Sequence, residues 1–274
     1  MSATLTAPRP AAHLTPAGVL HSEWIKLRSL RSTVWSFAII VVVSLGMAVL
    51  LSATVDFGGQ TPPEELQESI VLQAATFGLY FGQLIVAVLG VLVISGEYAT
   101  GMIRSTLTAV PKRIPALAAK AVVLFVATFL VGLLSTFASL LVALPLLSAN
   151  GVEAELSNAN LFGNLVLAAV YLALVAVFAL GVGTILRSSA GGIAAALGVI
   201  LLLPTVLQVI AGLTGADWAS DLMPYLLSNA GTGMFTPPMG GAESLEQWQY
   251  SLVVIGWAAV ALLGGALLLR KRDA

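Results

Sequence analysis

Apolar residues run along this chain in six long blocks separated by short polar segments. Charge-free stretches cover Ser32–Val55, Ser69–Gly96, Ala121–Val152, Leu156–Leu186, Ser188–Ala216 and Gln247–Leu269. An α-helix rises ~1.5 Å per residue, so a hydrocarbon core of ~30 Å needs about 20 apolar residues. Each block is long enough, and the pattern predicts spanning helices near 33–54, 70–95, 120–147, 161–186, 190–213 and 249–269. A seventh charge-free stretch, Leu222–Ala242, is different. Pro224, Pro237, Pro238, Gly231, Gly233, Gly240 and Gly241 interrupt it, and backbone that irregular cannot satisfy its own polar groups against lipid. It is expected as a short helix or re-entrant turn at the membrane surface, with Trp218, Tyr225 and Phe235 at headgroup level.

The polar segments carry their own patterns. Residues 1–18 hold prolines and small polar side chains and read as a flexible tail, leaving 19–274 as a single six-helix domain. Val19–Arg31 places Leu20, Trp24 and Leu27 on one helical face and carries Lys26, Arg28 and Arg31. It predicts an interfacial helix with its tryptophan among headgroups and its basic side chains facing lipid phosphates. Ile94–Arg113, ISGEYATGMIRSTLTAVPKR, concentrates polar residues between two apolar blocks. It predicts one short amphipathic helix, with Ile103, Leu107 and Val110 on one side and Arg104, Ser105 and Thr108 turned elsewhere. Pro111 and Pro115 stop any helix near its end, because proline lacks the backbone donor. This stretch is the expected meeting point with a soluble partner. Softer packing signals sit in the spans. Ala74, Gly78 and Gly82 recur every four residues, a seam that suits either helix packing or a dimer face. Gly191, Ala195 and Gly198 repeat it in the fifth span, which Pro204 is expected to kink.

Composition changes the picture from amphipathic to membrane-embedded. Of 274 residues 58% are hydrophobic and only 9% charged, where a soluble domain carries about 25% charged residues to wet its surface. Mean hydropathy is +0.99. The fold class is therefore an all-α polytopic membrane protein. Its net charge of −1 conceals a segregation: with six spans, all twelve lysines and arginines fall on one side of the membrane. The three opposite loops hold none of these and ten of the thirteen acids. The positive-inside rule then puts both termini in the cytoplasm.

Several chemistries lack their residues. The four lysines precede Leu27, Arg113, Ala121 and Arg272, so none stands before the serine or threonine of a phosphate loop. The two histidines, His13 and His21, have no metal-site or catalytic constellation around them, and there is no cysteine. No catalytic, cofactor or metal residue is expected on this chain, which reads as a non-enzyme. The span interiors carry no charge, which disfavours an ion-coupled carrier. Lys120, at the end of the third span, is expected to snorkel towards headgroups, and Glu97 lies just past the second.

ISGEYATGMIRSTLTAVPKR resembles the signature stretch of ABC-2 type transporter permeases, the membrane subunits of bacterial ATP-binding-cassette exporters. SEWIKLRSLRSTVW (Ser22–Trp35) resembles the family's amphipathic approach to its first span. LMPYLLSNAGTGMF (Leu222–Phe235) is similar to a Tyr-Leu-(Pro)-Ser-Asn-Ala-Gly stretch of such permeases, with Leu227 where proline is frequent. The resemblance implies a multi-pass subunit of the bacterial plasma membrane. It also implies a coupling helix between spans two and three, resting in a cleft of a separate ATPase subunit. On this sequence the coupling residues would be Glu97, Tyr98, Thr100, Ile103, Arg104, Ser105, Leu107 and Val110. The implied partners are a cytoplasmic ATPase subunit that carries the ATP and magnesium, a second permease chain, identical or different, and membrane lipid. Nucleic acid is not among them. The implied activity is ATP-driven export, and the Leu, Val, Ala and Gly lining of the spans suits an amphiphilic solute. Two other readings compete: a non-transporting polytopic scaffold or anchor, and an ion-coupled secondary carrier.

Topology is directly testable. Reporters fused after Gln60, Val152 or Gly240 are expected outside the cytoplasm, and those after Val110, Arg187 or Ala274 inside. One well-expressed fusion on the wrong side contradicts the six-span order.

Overall fold

The computed structural model describes residues 15–55, 62–109, 113–152, 159–236 and 245–271, and every regular element among them is helical. The expected tail (residues 1–14 of it), the acidic loop residues Asp56, Glu153, Glu155 and Glu243, and Val110 and Lys112 lie outside the described residues. So do the side chains of Arg104 and Leu107.

Helix α1 covers Pro16–Ser29 and opens three residues earlier than the pattern predicted. The Thr15 hydroxyl accepts the Gly18 N–H at 3.2 Å, satisfying a donor that the first turn leaves open. Leu30 then adopts extended backbone (φ −80°, ψ 116°) and turns the chain into α2, Arg31–Thr54. Arg31 therefore opens the first span and does not belong to the interfacial helix, a correction imposed by the break at Leu30.

Six helical segments among the described residues are long and apolar enough to cross a membrane: Arg31–Thr54, Leu66–Thr100, Ile114–Ala149, Ala159–Leu186, Ser189–Thr214 and Gln247–Lys271. They coincide with the six apolar blocks. The second is two helices, α3 (Glu64–Thr76) and α4 (Leu79–Thr100), joined by a turn at Phe77–Gly78. Gly78 is pressed against α2 there: a Cβ on it would lie 2.2 Å from the Ser44 Cα. Gly82 faces Ile40 and Leu172, and Ala74 is buried, so this small-residue seam packs inside the chain.

Gly101, at φ +74°, ends α4 in the left-handed conformation that glycine adopts without steric cost. It releases the eight-residue α5, Met102–Ala109. After Arg113 comes α6 (Ile114–Ala149), with Pro115 in the first turn where no donor is missed. Helix α7 (Ala159–Leu186) is the most buried span and packs against α4, α6 and α12 (Gln247–Lys271). The approach is backbone to backbone: a Cβ on Gly181 would stand 2.4 Å from the Ala261 carbonyl carbon.

The fifth span divides into α8 (Ser189–Leu197), one π-helical turn at Gly198–Leu202, and α9 (Leu203–Thr214). The wide turn falls directly before Pro204, whose nitrogen cannot return the usual bond, and so accommodates the expected kink. Beyond it, α10 (Asp217–Leu222), a 3₁₀ turn at Met223–Tyr225, and α11 (Leu227–Phe235) replace the refused seventh span. Helix α11 re-enters the bundle. Gly231 lies under the ring of Tyr171, which sits midway along α7, and the Tyr225 carbonyl accepts the Trp257 indole N–H at 2.9 Å. Trp218 and Tyr225 are exposed, as surface residues should be. Phe235 is not: it is 2% exposed and its ring lies 6.0 Å from that of Tyr171. Helix α11 packs its glycine-containing backbone against α7 and α12, as membrane-depth backbone must be covered by protein.

The helix ends gather on two faces. On one, the Asn150 amide donates to the Ser52 carbonyl, and Gln247 donates to Asn164. On the other lie α1, α5, the α7–α8 turn and the end of α12, with every described lysine and arginine. We call this the basic face.

Close backbone contact makes the glycines unequal. Gly181→Ala is expected to lower the melting temperature of the detergent-purified protein by several degrees, because Ala261 backbone cannot move aside. Gly46→Ala meets nothing within 4 Å and should be neutral or stabilising by about 0.5–1 kcal/mol.

Candidate functional site

Four charged side chains meet beneath the basic face. Glu23 and Lys26 come from α1, Glu97 from the last turn of α4, and Lys120 from the second turn of α6. Lys120 Nζ donates to Glu23 Oε2 at 2.6 Å and to Glu97 Oε1 at 2.8 Å. Lys26 Nζ donates to Glu23 Oε1 at 2.7 Å, Glu97 Oε1 at 3.1 Å and the Thr106 hydroxyl of α5 at 3.1 Å. Glu23, Glu97 and Lys120 are each 3–4% exposed. Two carboxylates and two ammonium groups balance, so the desolvated cluster is neutral. One group is left over: Glu97 Oε2 is buried with no hydrogen-bond partner.

Local sequence explains why these residues converge. Glu23, Lys26 and Leu27 recur at helical spacing, so α1 turns a stripe containing two charges towards the bundle. Lys120 stands in ALAAKAVVL, where small neighbours let α1 pack closely on α6. Helices α4 and α6 extend beyond the apolar blocks, which holds Glu97 and Lys120 near the end of the spans, outside their apolar middle.

The network sets the protonation of its α1 members. Burial alone would raise the Glu23 carboxyl, but Lys120 and then Lys26 outweigh it and hold the pKa below the ordinary 4.5. Burial alone would lower Lys26; its bond to Glu23 and the charge of Glu97 reverse this and hold it above 10.5. Both are charged at neutral pH.

Further contacts tie the same region to the remaining spans. The Arg187 guanidinium, in the turn between α7 and α8, stacks 5.1 Å from the Tyr98 ring centre. Ser189 donates to Ser95 at 2.9 Å, and Arg113 donates to the Leu269 carbonyl of α12 at 2.9 Å.

The expected site residues distribute as follows. Glu97 and Tyr98 are in these contacts. Thr100 is exposed and returns its hydroxyl to the Gly96 carbonyl. Ile103 is 5% exposed and belongs to the main core, so its side chain points into the bundle; Met102 and Ser105 are exposed instead. Trp24 is exposed and Arg28 exposed, but Lys26 turns inward to the carboxylates and does not face lipid phosphates. Lys120 does not snorkel: two carboxylates within 2.8 Å keep it buried. Glu23, Thr106 and Lys120 were missed as site residues. The signal for two of them was legible, a Glu–Lys pair at i, i+3 beside two leucines, and a lysine alone among alanines at a span end.

The family described as ABC-2 family transporter protein matches residues 19–201, well over half the chain. The chain belongs to the ABC-2 transporter family. This ABC-2 protein is thus a multi-pass membrane permease, of a family whose members are transport subunits and generally not catalysts. The matched region contains α1 from Val19 onward, all of α5 and all four residues of the ion cluster, and ends before the Leu222–Phe235 stretch. No curated protein matches the chain.

The cluster has a pH signature. With the Glu23 pKa depressed on folding, its stabilisation is fully present above about 4.5 and is lost as pH falls through the folded value. With the Lys26 pKa raised, its share is present below about 10.5 and is lost above that. The melting-temperature difference between wild type and Glu23→Gln is therefore expected to be flat from about pH 6 to 9 and to shrink in acid below about 4.5. Lys120→Met, which leaves buried carboxylates short of a counter-ion, is expected to cost about 3–5 kcal/mol at neutral pH.

Proposed function

We propose that this permease pairs with a second permease chain and two separate ATPase subunits to export an amphiphilic solute from a bacterial cytoplasm. The supporting observation is the attachment of α5. A short helix at the basic face exposes Met102 and Ser105, while Ile103 sits in the main core and Thr106 accepts a hydrogen bond from Lys26 of α1. By the positive-inside rule the basic face is cytoplasmic, together with both termini, so α5 is where a soluble ATPase would be met.

Alternating access needs force to pass from nucleotide-driven closure of the ATPase pair into the spans. A single docked helix can do this only if it moves as one body with the helices that it must drive. Lys26 and Lys120 connect α5 through α1 to the ends of α4 and α6, and Tyr98 and Arg113 extend the connection to α7, α8 and α12. ATP and magnesium would be bound on the partner, since this sequence has no phosphate loop. The wall residues of the spans, Leu, Val, Ala and Gly with few polar groups, favour an amphiphilic cargo over an ion.

Ser105→Trp enlarges the outward face of α5 without touching Ile103, Thr106 or the cluster. Tagged protein purified from its native membrane is expected to carry vanadate-sensitive ATP hydrolysis. The variant should reach the membrane at normal levels and carry at least about tenfold less, equivalent to ~1.4 kcal/mol of lost docking. Undiminished hydrolysis with Ser105→Trp, or none with the wild type, contradicts the proposal.

A further inference from the structure

The first and fifth spans are the least buried of the six, yet they expose different chemistry. Between its end turns the first shows only hydrocarbon: Ile39, Val42, Val49 and Leu50 are exposed, and bilayer lipid covers such side chains without cost. The fifth does not. Among the described residues more than five positions inside a span end, the exposed polar side chains are Gln73, Tyr80, Thr205 and Gln208. All four lie on the second and fifth spans. Those spans are neighbours, since α4 packs on α8 and Ser189 of α8 bonds to Ser95 of α4.

Helix α9 presents the sharper case. It packs on α10 and the 3₁₀ turn through a small cluster around Leu207, Ala219 and Leu226, separate from the main core. Thr205, Gln208 and Gly212 recur at i, i+3 and i+7 on another side of the helix. The Thr205 hydroxyl returns to the Leu201 carbonyl at 2.7 Å. The Gln208 amide bonds to nothing among the described residues, and a Cβ on Gly212 would meet nothing within 4 Å. Gln208 lies ~9 Å along the axis from Thr214, where the span ends, at ~1.5 Å per residue. An exposed amide at that depth faces hydrocarbon, which offers it neither donor nor acceptor. Something polar has to cover it.

Two properties identify the cover. A primary amide is donor and acceptor at once, so two identical amides facing across a twofold axis satisfy each other with two hydrogen bonds. Gly212, one turn nearer the end of the helix, leaves room for a second backbone at close range. A second copy of this chain supplies both; lipid supplies neither. We propose that the second permease chain is a copy of this one, and that the two meet along Thr205, Gln208 and Gly212 of α9, with Gln208 bonded to its own counterpart. The inference rests on the transport reading for its need of a second chain, while the face is read from α9 itself.

The chain has no cysteine, so single replacements report which surfaces meet their own copies. Thr205→Cys and Gly212→Cys, oxidised with copper phenanthroline in the native membrane, are expected to give disulfide-linked dimers. Leu141→Cys and Leu263→Cys, on exposed faces of α6 and α12, are expected to stay monomeric. Gln208→Leu added to Thr205→Cys should slow dimer formation about fivefold, as loss of interhelical hydrogen bonds requires. No dimer from either α9 cysteine, an equal rate from α6 or α12, or a rate indifferent to Gln208→Leu overturns the proposal. Tagged and untagged copies expressed together separate it from the transport reading. Tagged protein that carries vanadate-sensitive ATP hydrolysis but no untagged copy has a different second chain, so the pairing falls and the transport reading stands. Disulfides across α9 without any such hydrolysis leave the pairing standing and remove the transport reading.

Discussion

Removing a carboxylate or an ammonium group from water costs several kcal/mol that only close, well-oriented partners can offset. Glu23, Glu97 and Lys120 are all out of water in this permease, and Lys26 is largely so. None of the four can hold its position alone. Glu97 and Lys120 lie 23 residues apart, and Glu23 lies 97 residues from Lys120, so α1, α4 and α6 must be assembled before the charges are satisfied. The requirement works in one direction more than the other. A complete cluster adds little stability over an apolar equivalent, while an incomplete one is strongly unfavourable. It consequently specifies an arrangement more than it strengthens it.

That arrangement is also what holds α5 in place, as the proposed coupling role requires. Gly101 breaks the chain from α4 in a left-handed turn, and without further contacts an eight-residue helix would swing about that point. Isolated helices of such length are not stable in water. Ile103 seats α5 in the core, and Thr106 joins it to Lys26, whose ammonium also reaches both carboxylates. The remaining spans are engaged through contacts that include Arg187 on the Tyr98 ring, Ser189 on Ser95 and Arg113 on the Leu269 carbonyl. The opposite face contributes a different solution to the same membrane constraint: α11 places irregular, glycine-rich backbone against Tyr171 and Tyr250, away from lipid.

The spans were legible because length and hydropathy alone determine them, and all six apolar blocks became helices. The refusal of Leu222–Ala242 as a span was also legible, since Pro224 and the glycines are visible in the chain. Phe235 was misplaced because hydropathy reports that an aromatic is apolar and not whether protein or lipid covers it. The same limit produced the error at Ile103: a 3.6-residue period identifies an apolar face but not what that face meets. Lys26 and Lys120 were read by the rule for isolated basic residues at a membrane surface, and that rule fails when a carboxylate from a distant helix arrives. Arg31 was assigned to the wrong helix because Leu30 carries no sequence mark of an extended residue.

The central claim is that the ion cluster makes α1 and α5 one body. The chain has no cysteine, so spin labels at Ser22→Cys and Ser105→Cys, both exposed positions, report on those two helices alone. Pulsed electron–electron distance measurement on the reconstituted protein is predicted to give one narrow distance distribution. The same pair in the Lys120→Met background is predicted to give a broad one while the protein stays folded. An equally narrow distribution in both would contradict the account, because α5 would then be held by something other than the cluster.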